Sequence, residues 1–224
     1  MSVAASADPL RTLLVVGSTR AARGADLVLP WLREALSADD RFELEVADLR
    51  DWPLPFFQED MFAMGDPADP TYSDPIVKRW NDTVKAADAF VFLTPEYNHT
   101  IPPSLKNAID SIFMSNGLRN KPSAFVGYSV SPTGGVRAVE HLYQTVTTLE
   151  SVPLRNGVLV GDMFHAFDAE GQPTNPMTSA AMQVMCDDLV WWGDALRQAR
   201  GVGELAPYQL RIGLAVAALQ AHES

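Results

Sequence analysis

Five short apolar runs alternate along the chain with longer amphipathic stretches, and that alternation leaves few folds open. The runs are RTLLVVG (11–17), FELEVADL (42–49), DAFVFLT (88–94), PSAFVGYSV (122–130) and PLRNGVLVGDM (153–163). The amphipathic stretches lie near 25–38, 74–87, 102–114, 134–150 and 178–200. A strand that is apolar on both faces needs cover on both, and strands separated by helices pair in parallel. The pattern predicts an α/β fold, a five-stranded parallel sheet between two helical layers. With 224 residues, nearly half of them hydrophobic, the chain can form one large core, so a single domain over 1–224 is expected. The segment 50–73 has four prolines and no period. Its aromatic residues Trp52, Phe56, Phe57, Phe62 and Tyr72 predict an ordered excursion rather than a disordered loop. A C-terminal extension begins after about residue 201 and ends in a short helix over 208–222.

Charge narrows the partners. A formal net charge of −11, with no lysine- or arginine-rich run, repels phosphate backbones and anionic lipid, so neither nucleic acid nor a membrane is expected. One cysteine, Cys186, rules out an internal disulfide framework, and the first residues lack a basic region followed by a long apolar segment. Both features read as a soluble, cytoplasmic protein.

Chemistry gathers at two strand ends. After the first run comes STRAARGAD, a turn with hydroxyls and arginines that enters a helix. A helix start after the first strand of a parallel sheet presents free N–H groups to an anion. The dinucleotide pattern G-x-G-x-x-G and the triphosphate pattern G-x-x-x-x-G-K-[ST] are both absent, which leaves a terminal monophosphate as the better fit. Ser18 and Thr19 can donate hydroxyl bonds, the amides from 19 to 25 can form a nest, and Arg20 or Arg23 can add charge. The alternative is an ordinary turn, with Ser18 or Thr19 as N-cap and both arginines solvated.

The third run ends in PEYNHTIPPSLKNAID (95–110), which would share an edge with STRAAR in a parallel sheet. Pro95 and the Pro102-Pro103 pair stiffen this loop. Tyr97 offers a ring on which a planar ligand could stack, with backbone N–H groups near Glu96 and Asn98. In the helix that follows, Lys106 and Asp110 are spaced for a surface ion pair, and Leu105, Ile109 and Ile112 for the sheet. His99 reads as a solvated loop histidine.

Together, GSTRAARG, LTPEYNHTIPPSLKNAID and GYSVSPTGGVRAVEHL (127–142) resemble the three signature loops of the NAD(P)H-dependent FMN reductase family, whose members reduce flavins, quinones, azo dyes and chromate. The resemblance runs from about residue 11 to 200. It implies a flavodoxin-like three-layer sandwich with strand order 2-1-3-4-5. It implies FMN as cofactor, NADPH or NADH as reductant, and hydride passed through the flavin to a small-molecule electron acceptor. Carried over by position, Ser18, Arg20 and Arg23 hold the FMN phosphate, with backbone help at Gly24 and Ala25. Pro95, Glu96, Tyr97 and Asn98 line the isoalloxazine, and Ser129, Thr133, Gly134 and Gly135 approach its pyrimidine edge. Bulk at Gly134 is expected to exclude the flavin. Ala21-Ala22 departs from the Pro-Gly common in relatives, and the 50–73 excursion departs in length. The resemblance also implies a homodimer or tetramer.

Rival chemistry is thinner. A flavodoxin-type electron carrier fits the same fold and an acidic surface. GYSVS is one residue short of a nucleophile elbow, so Ser129 with His165 and Asp168 gives a remote serine-hydrolase reading. The four histidines are scattered, without metal-ligand spacing. Cys186 reads as a buried apolar residue, Met182, Met185, Leu189 and Trp192 as core, and Asp187-Asp188 as a solvated face. Trp52, Trp80, Trp191 and the phenylalanines of the excursion exceed the needs of one core and suggest a subunit interface.

Overall fold

The computed structural model describes residues 8–60, 63–66, 69–115 and 117–222. The elements run β1 (Leu10–Val16), α1 (Ala25–Ser37), β2 (Phe42–Asp48), α2 (Pro75–Ala86), β3 (Ala89–Pro95), α3 (Pro103–Asp110), β4 (Pro122–Tyr128), α4 (Val136–Thr148), β5 (Val152–Pro153), β6 (Val158–Val160), α5 (Pro176–Val202) and α6 (Tyr208–His222). All strand pairs are parallel, in the order β2-β1-β3-β4-β5, with β6 also on β4. The flavodoxin-like sandwich expected from the sequence is therefore present.

Period decides which helix covers which face. Leu10, Leu14 and Val16 of β1 point to a core shared with α1 and α5, while Leu13 and Val15 point to one shared with α2, α3 and α4. Every residue of β3 and β4 is buried, as central strands covered on both sides require. Leu105, Ile109 and Ile112 lie in the second core, and Lys106 reaches Asp110 at 2.6 Å.

The single fifth strand expected over 153–163 is broken in two. Val152–Pro153 pairs with Pro122–Ser123, and Val158–Val160 with Val126–Tyr128, so residues 154–157 oppose only residues 124 and 125. The surplus forms a bulge, which Tyr143 pins by donating its hydroxyl to the carbonyls of Leu154 (2.6 Å) and Arg155 (3.0 Å).

The excursion is ordered where described. Tyr72 is buried and donates to Asn81 Oδ1 at 3.1 Å, Met64 and Val77 join it in a small cluster, and Asn107 clasps residues 55–57 through Pro55 O and Phe57 N–H. Phe62 lies outside the described residues. Two tryptophan expectations need correction. Trp80 is core, donating Nε1–H to Ala108 O at 2.7 Å with Trp52 edge-on against it, whereas Trp192 is 39% exposed because it sits a quarter-turn off the inward stripe of α5.

Candidate functional site

In this strand order the connections from β1 and β3 leave in opposite directions, and a crevice opens between their carboxyl ends. The loop after β1 enters it anchored on both sides: Gly17 N–H donates to Leu93 O at 2.9 Å, and Ser104 Oγ–H to Gly17 O at 2.7 Å. Ser18 is buried beneath, its Oγ 2.6 Å from the Tyr97 hydroxyl, so the first and third loops are joined before any ligand arrives. Arg20 stays exposed, its guanidinium 5.5 Å from the centroid of the Tyr97 ring.

Arg23 behaves otherwise. It is buried and spends its guanidinium inside the loop. One arm donates to Ser18 O (2.5 Å) and Asp48 Oδ1 (2.6 Å), the other to Asp48 Oδ2, and Nε to Asp26 Oδ1 (2.9 Å). Burial pushes the Asp48 carboxyl up, but Arg23 and the Arg50 N–H outweigh it and hold it below the ordinary carboxylate range. The bonds to Asp48 and Asp26 raise Arg23 against its own desolvation. Arg23 thus has a structural role in the loop, paired with the carboxylate that ends β2, while it also lines the cleft. Helix α1 then begins at Ala25 with Gly24 as N-cap and no side-chain cap, and its Asp26 and Leu27 N–H groups donate to Arg23 O (3.3 Å) and Gly24 O (3.1 Å) of the turn itself.

The third loop is a two-residue hairpin. Tyr97 and Thr100 exchange both backbone bonds (2.9 and 3.0 Å) around Asn98 and His99, whose φ of +49° and +67° mark a left-handed turn that these residue types tolerate. Glu96 is held by Arg137, with Nη1 at 2.7 Å and the backbone N–H at 3.3 Å, which ties the loop to the start of α4. His141 Nδ1 lies 2.7 Å from Thr100 Oγ1.

In the fourth loop Ser129 Oγ accepts from Ser131 N–H at 3.0 Å, and Thr133 is exposed with its Oγ1 near Ser131. Gly134 and Gly135 have φ of +61° and +81° and are buried. A Cβ on Gly134 would come within 2.9 Å of the Leu159 backbone, and one on Gly135 within 3.0 Å of Tyr128. The neighbouring strands and the positive φ already require glycine at both positions, independently of any ligand. The hydrolase constellation does not assemble. His165 pairs with Asp162 (3.0 Å), and Asp168 accepts the Glu170 and Gln172 N–H groups of its own turn.

A cleft of about 290 Å³ follows the crevice, lined by Arg20, Arg23, Gly24, Pro95, Glu96, Tyr97 and Ser129 from the expected set. Tyr128, Val130, Met163 and Phe164 also line it, and sequence reading missed them. Tyr128 could have been found as the last residue of β4, on the same edge. Its hydroxyl is buried beside Ser18 and the Ala25 N–H without a well-formed hydrogen bond to either, and burial pushes the phenol up. Asn98 instead borders a cleft of about 610 Å³ between α3 and α4, while Ser18 and Ala25 lie beneath the floor. A further cleft of about 550 Å³, lined by Thr19, Arg50, Trp52 and Phe56, shares Arg20 and Tyr97 with the first.

FMN fits this lining: the exposed Arg20 beside the start of α1 suits its phosphate, and Pro95, Glu96 and Tyr97 offer a flat wall for its ring. Comparison with known proteins agrees. The family model for NADPH-dependent FMN reductase matches residues 10–166. An NAD(P)H-dependent FMN reductase of Pseudomonas aeruginosa is 33% identical over 194 residues, covering 85% of this chain and 98% of that protein. A quinone reductase of Pseudomonas putida is 30% identical, over 80% of this chain and 92% of that one. The flavoenzyme NAD(P)H:(acceptor) oxidoreductase of Paracoccus denitrificans superimposes with a TM-score of 0.67 at 26% identity, over 83% of this chain and 98% of that structure. Since the matched region takes in every strand of the sheet and all three loops of the crevice, the chain belongs to the NADPH-dependent FMN reductase family.

Proposed function

We propose that the chain is an FMN-dependent NAD(P)H oxidoreductase that binds FMN in the crevice between the loops after β1 and β3, and that it acts on a small acceptor such as a quinone. The cleft at the switch point of the sheet, lined by the exposed Arg20, the start of α1 at Gly24 and the Tyr97 loop, carries the reading. Arg20 and the N–H groups of Gly24 and Ala25 would take the phosphate. Arg23 would keep that loop in shape through Asp48 and the Ser18 carbonyl, and Ser18 would orient the Tyr97 ring through their shared hydrogen bond. Pro95, Glu96 and Tyr97 would line the flat ring, with Ser129 at its edge. Thr133, Gly134 and Gly135 shape the fourth loop from behind, and Asn98 turns the third. FMN, when bound, supplies the hydride chemistry, and the protein supplies position and electrostatics.

The cleft beside Trp52 and Phe56 favours an enzyme over an electron carrier. It offers room next to Tyr97 for a nicotinamide or an acceptor, which a carrier does not need. As part of the same proposal, residues 1–224 form one domain that works in the cytoplasm as a homodimer or tetramer. No described helix is long and apolar enough to cross a membrane, and the single cysteine suits a reducing compartment.

The test is the visible spectrum of the purified protein with FMN, followed anaerobically as NADPH and then NADH are added. Bleaching of bound flavin within seconds is expected. Bound flavin that stays oxidised would move the assignment to a carrier, and failure to bind FMN would overturn the crevice.

A further inference from the structure

The last two helices are apolar on faces that the fold leaves open. Helix α5 turns Met182, Met185, Cys186 and Leu189 to the sheet. On its opposite face Met177, Val184, Trp191 and Val202 recur at spacings of seven and eleven, the last two 55% and 93% exposed, with Ala180 and Ala195 between them. Helix α6 carries Leu210 and Leu214 on one side and Ile212, Val216 and Leu219 on the other, all exposed. Its base is tied down through Tyr208 N–H and Arg211 to the Glu150 carboxylate. A helix apolar on two opposite sides is stable when enclosed by protein. Both helices lie beyond the part of the chain that the family model matches.

We propose that α5 and α6 form a homotypic interface, in which one face of α6 lies along the outer stripe of α5 in a second copy. Two-fold exchange then sets the other face of each α6 against its twin, giving a four-helix layer that satisfies both sides at once. The dimensions agree: fifteen residues of α6 span about 22 Å, and the α5 stripe from Val184 to Val202 about 27 Å. The nine large side chains named for the three open faces offer on the order of 1,000 Å² per copy, against the about 800 Å² that one side of a stable interface takes. A lipid surface fits poorly, because α6 lacks the charged polar face of an interfacial helix.

This inference rests on the homo-oligomer reading above, and light scattering separates the two. The FMN-loaded full chain at micromolar concentration is compared with a chain ending at Pro207, with Leu214→Glu and with Trp191→Glu. The full chain is expected to be an even-order oligomer. Each variant should halve its mass with the flavin spectrum unchanged, and Leu214→Glu combined with Trp191→Glu should cause no further fall. Leu214→Glu is the control for folding, since it changes one exposed side chain. An oligomer whose mass none of the variants alters would place the interface elsewhere and overturn this inference alone. A monomeric full chain would overturn both.

Discussion

Single residues divide here into those that face a ligand and those that hold the loop for it, and substitution should separate them. Arg20→Ala removes an exposed charge. FMN affinity is expected to fall tenfold to a hundredfold, about 1.5–3 kcal/mol, with melting unchanged, as a fluorescence titration beside a thermal melt would record. Arg23→Ala should do the reverse at first: it strands the Asp48 carboxylate and the Ser18 carbonyl, so the apo protein should lose about 2–3 kcal/mol in urea unfolding. Ala22 sits at φ +48°, a left-handed position costly for a residue with a Cβ. Ala22→Gly should therefore stabilise the apo protein by about 0.5–1 kcal/mol, and a lower melting temperature would contradict the strain. The sequence pointed to both arginines equally. Nothing local reveals that Asp48, twenty-five residues on, claims one of them.

Elements show the same division between local signal and distant partner. The foot of β4 buries Lys121, whose ammonium donates to Val84 O (3.3 Å) and Lys85 O (2.8 Å) at the end of α2. Desolvation lowers it from 10.5 to about 7. Between those values the unfolded chain binds the proton that the folded chain has released, so stability should climb as pH rises from about 7 toward 10.5. Below about 7 both states are protonated and this slope disappears. Lys121→Met should flatten the rise, as urea titrations at several pH values would detect. At the start of α4, Gly134→Val would press on the Leu159 backbone, and the apo protein itself should melt earlier. An unchanged apo melt with lost FMN binding would restore the ligand as the reason for that glycine. Strand and helix types were legible from period alone, as were the inward faces of α3 and most of α5. The break between β5 and β6 was not, because a two-residue surplus is defined only against the strand it pairs with.

For the whole molecule, the consequence is a crevice assembled from distant parts: loops after β1, β3 and β4, walled by an excursion after β2. Phe56, 82% exposed on that wall, should govern the second ligand and not the flavin. Phe56→Ala is expected to raise KM for nicotinamide or acceptor several-fold in steady-state assays while FMN affinity and melting stay as they were. A change in FMN affinity instead would merge the two clefts into one site. By itself the sequence determined the α/β class, the parallel sheet, the strand edge where its turn chemistry gathers and the acidic net charge, while the strand order came from the family resemblance. Class, sheet type, edge and charge follow from periodicity, turn chemistry and composition, which are properties of short segments or of the whole chain. Only the tertiary structure decided that Arg23 pairs with Asp48, that Tyr128 joins the lining of the cleft, that Gly134 packs against β6, and that α5 carries a second apolar face away from the sheet. Each depends on which residues distant in the chain become neighbours, and a hydrogen bond or a close contact exists only between neighbours in space.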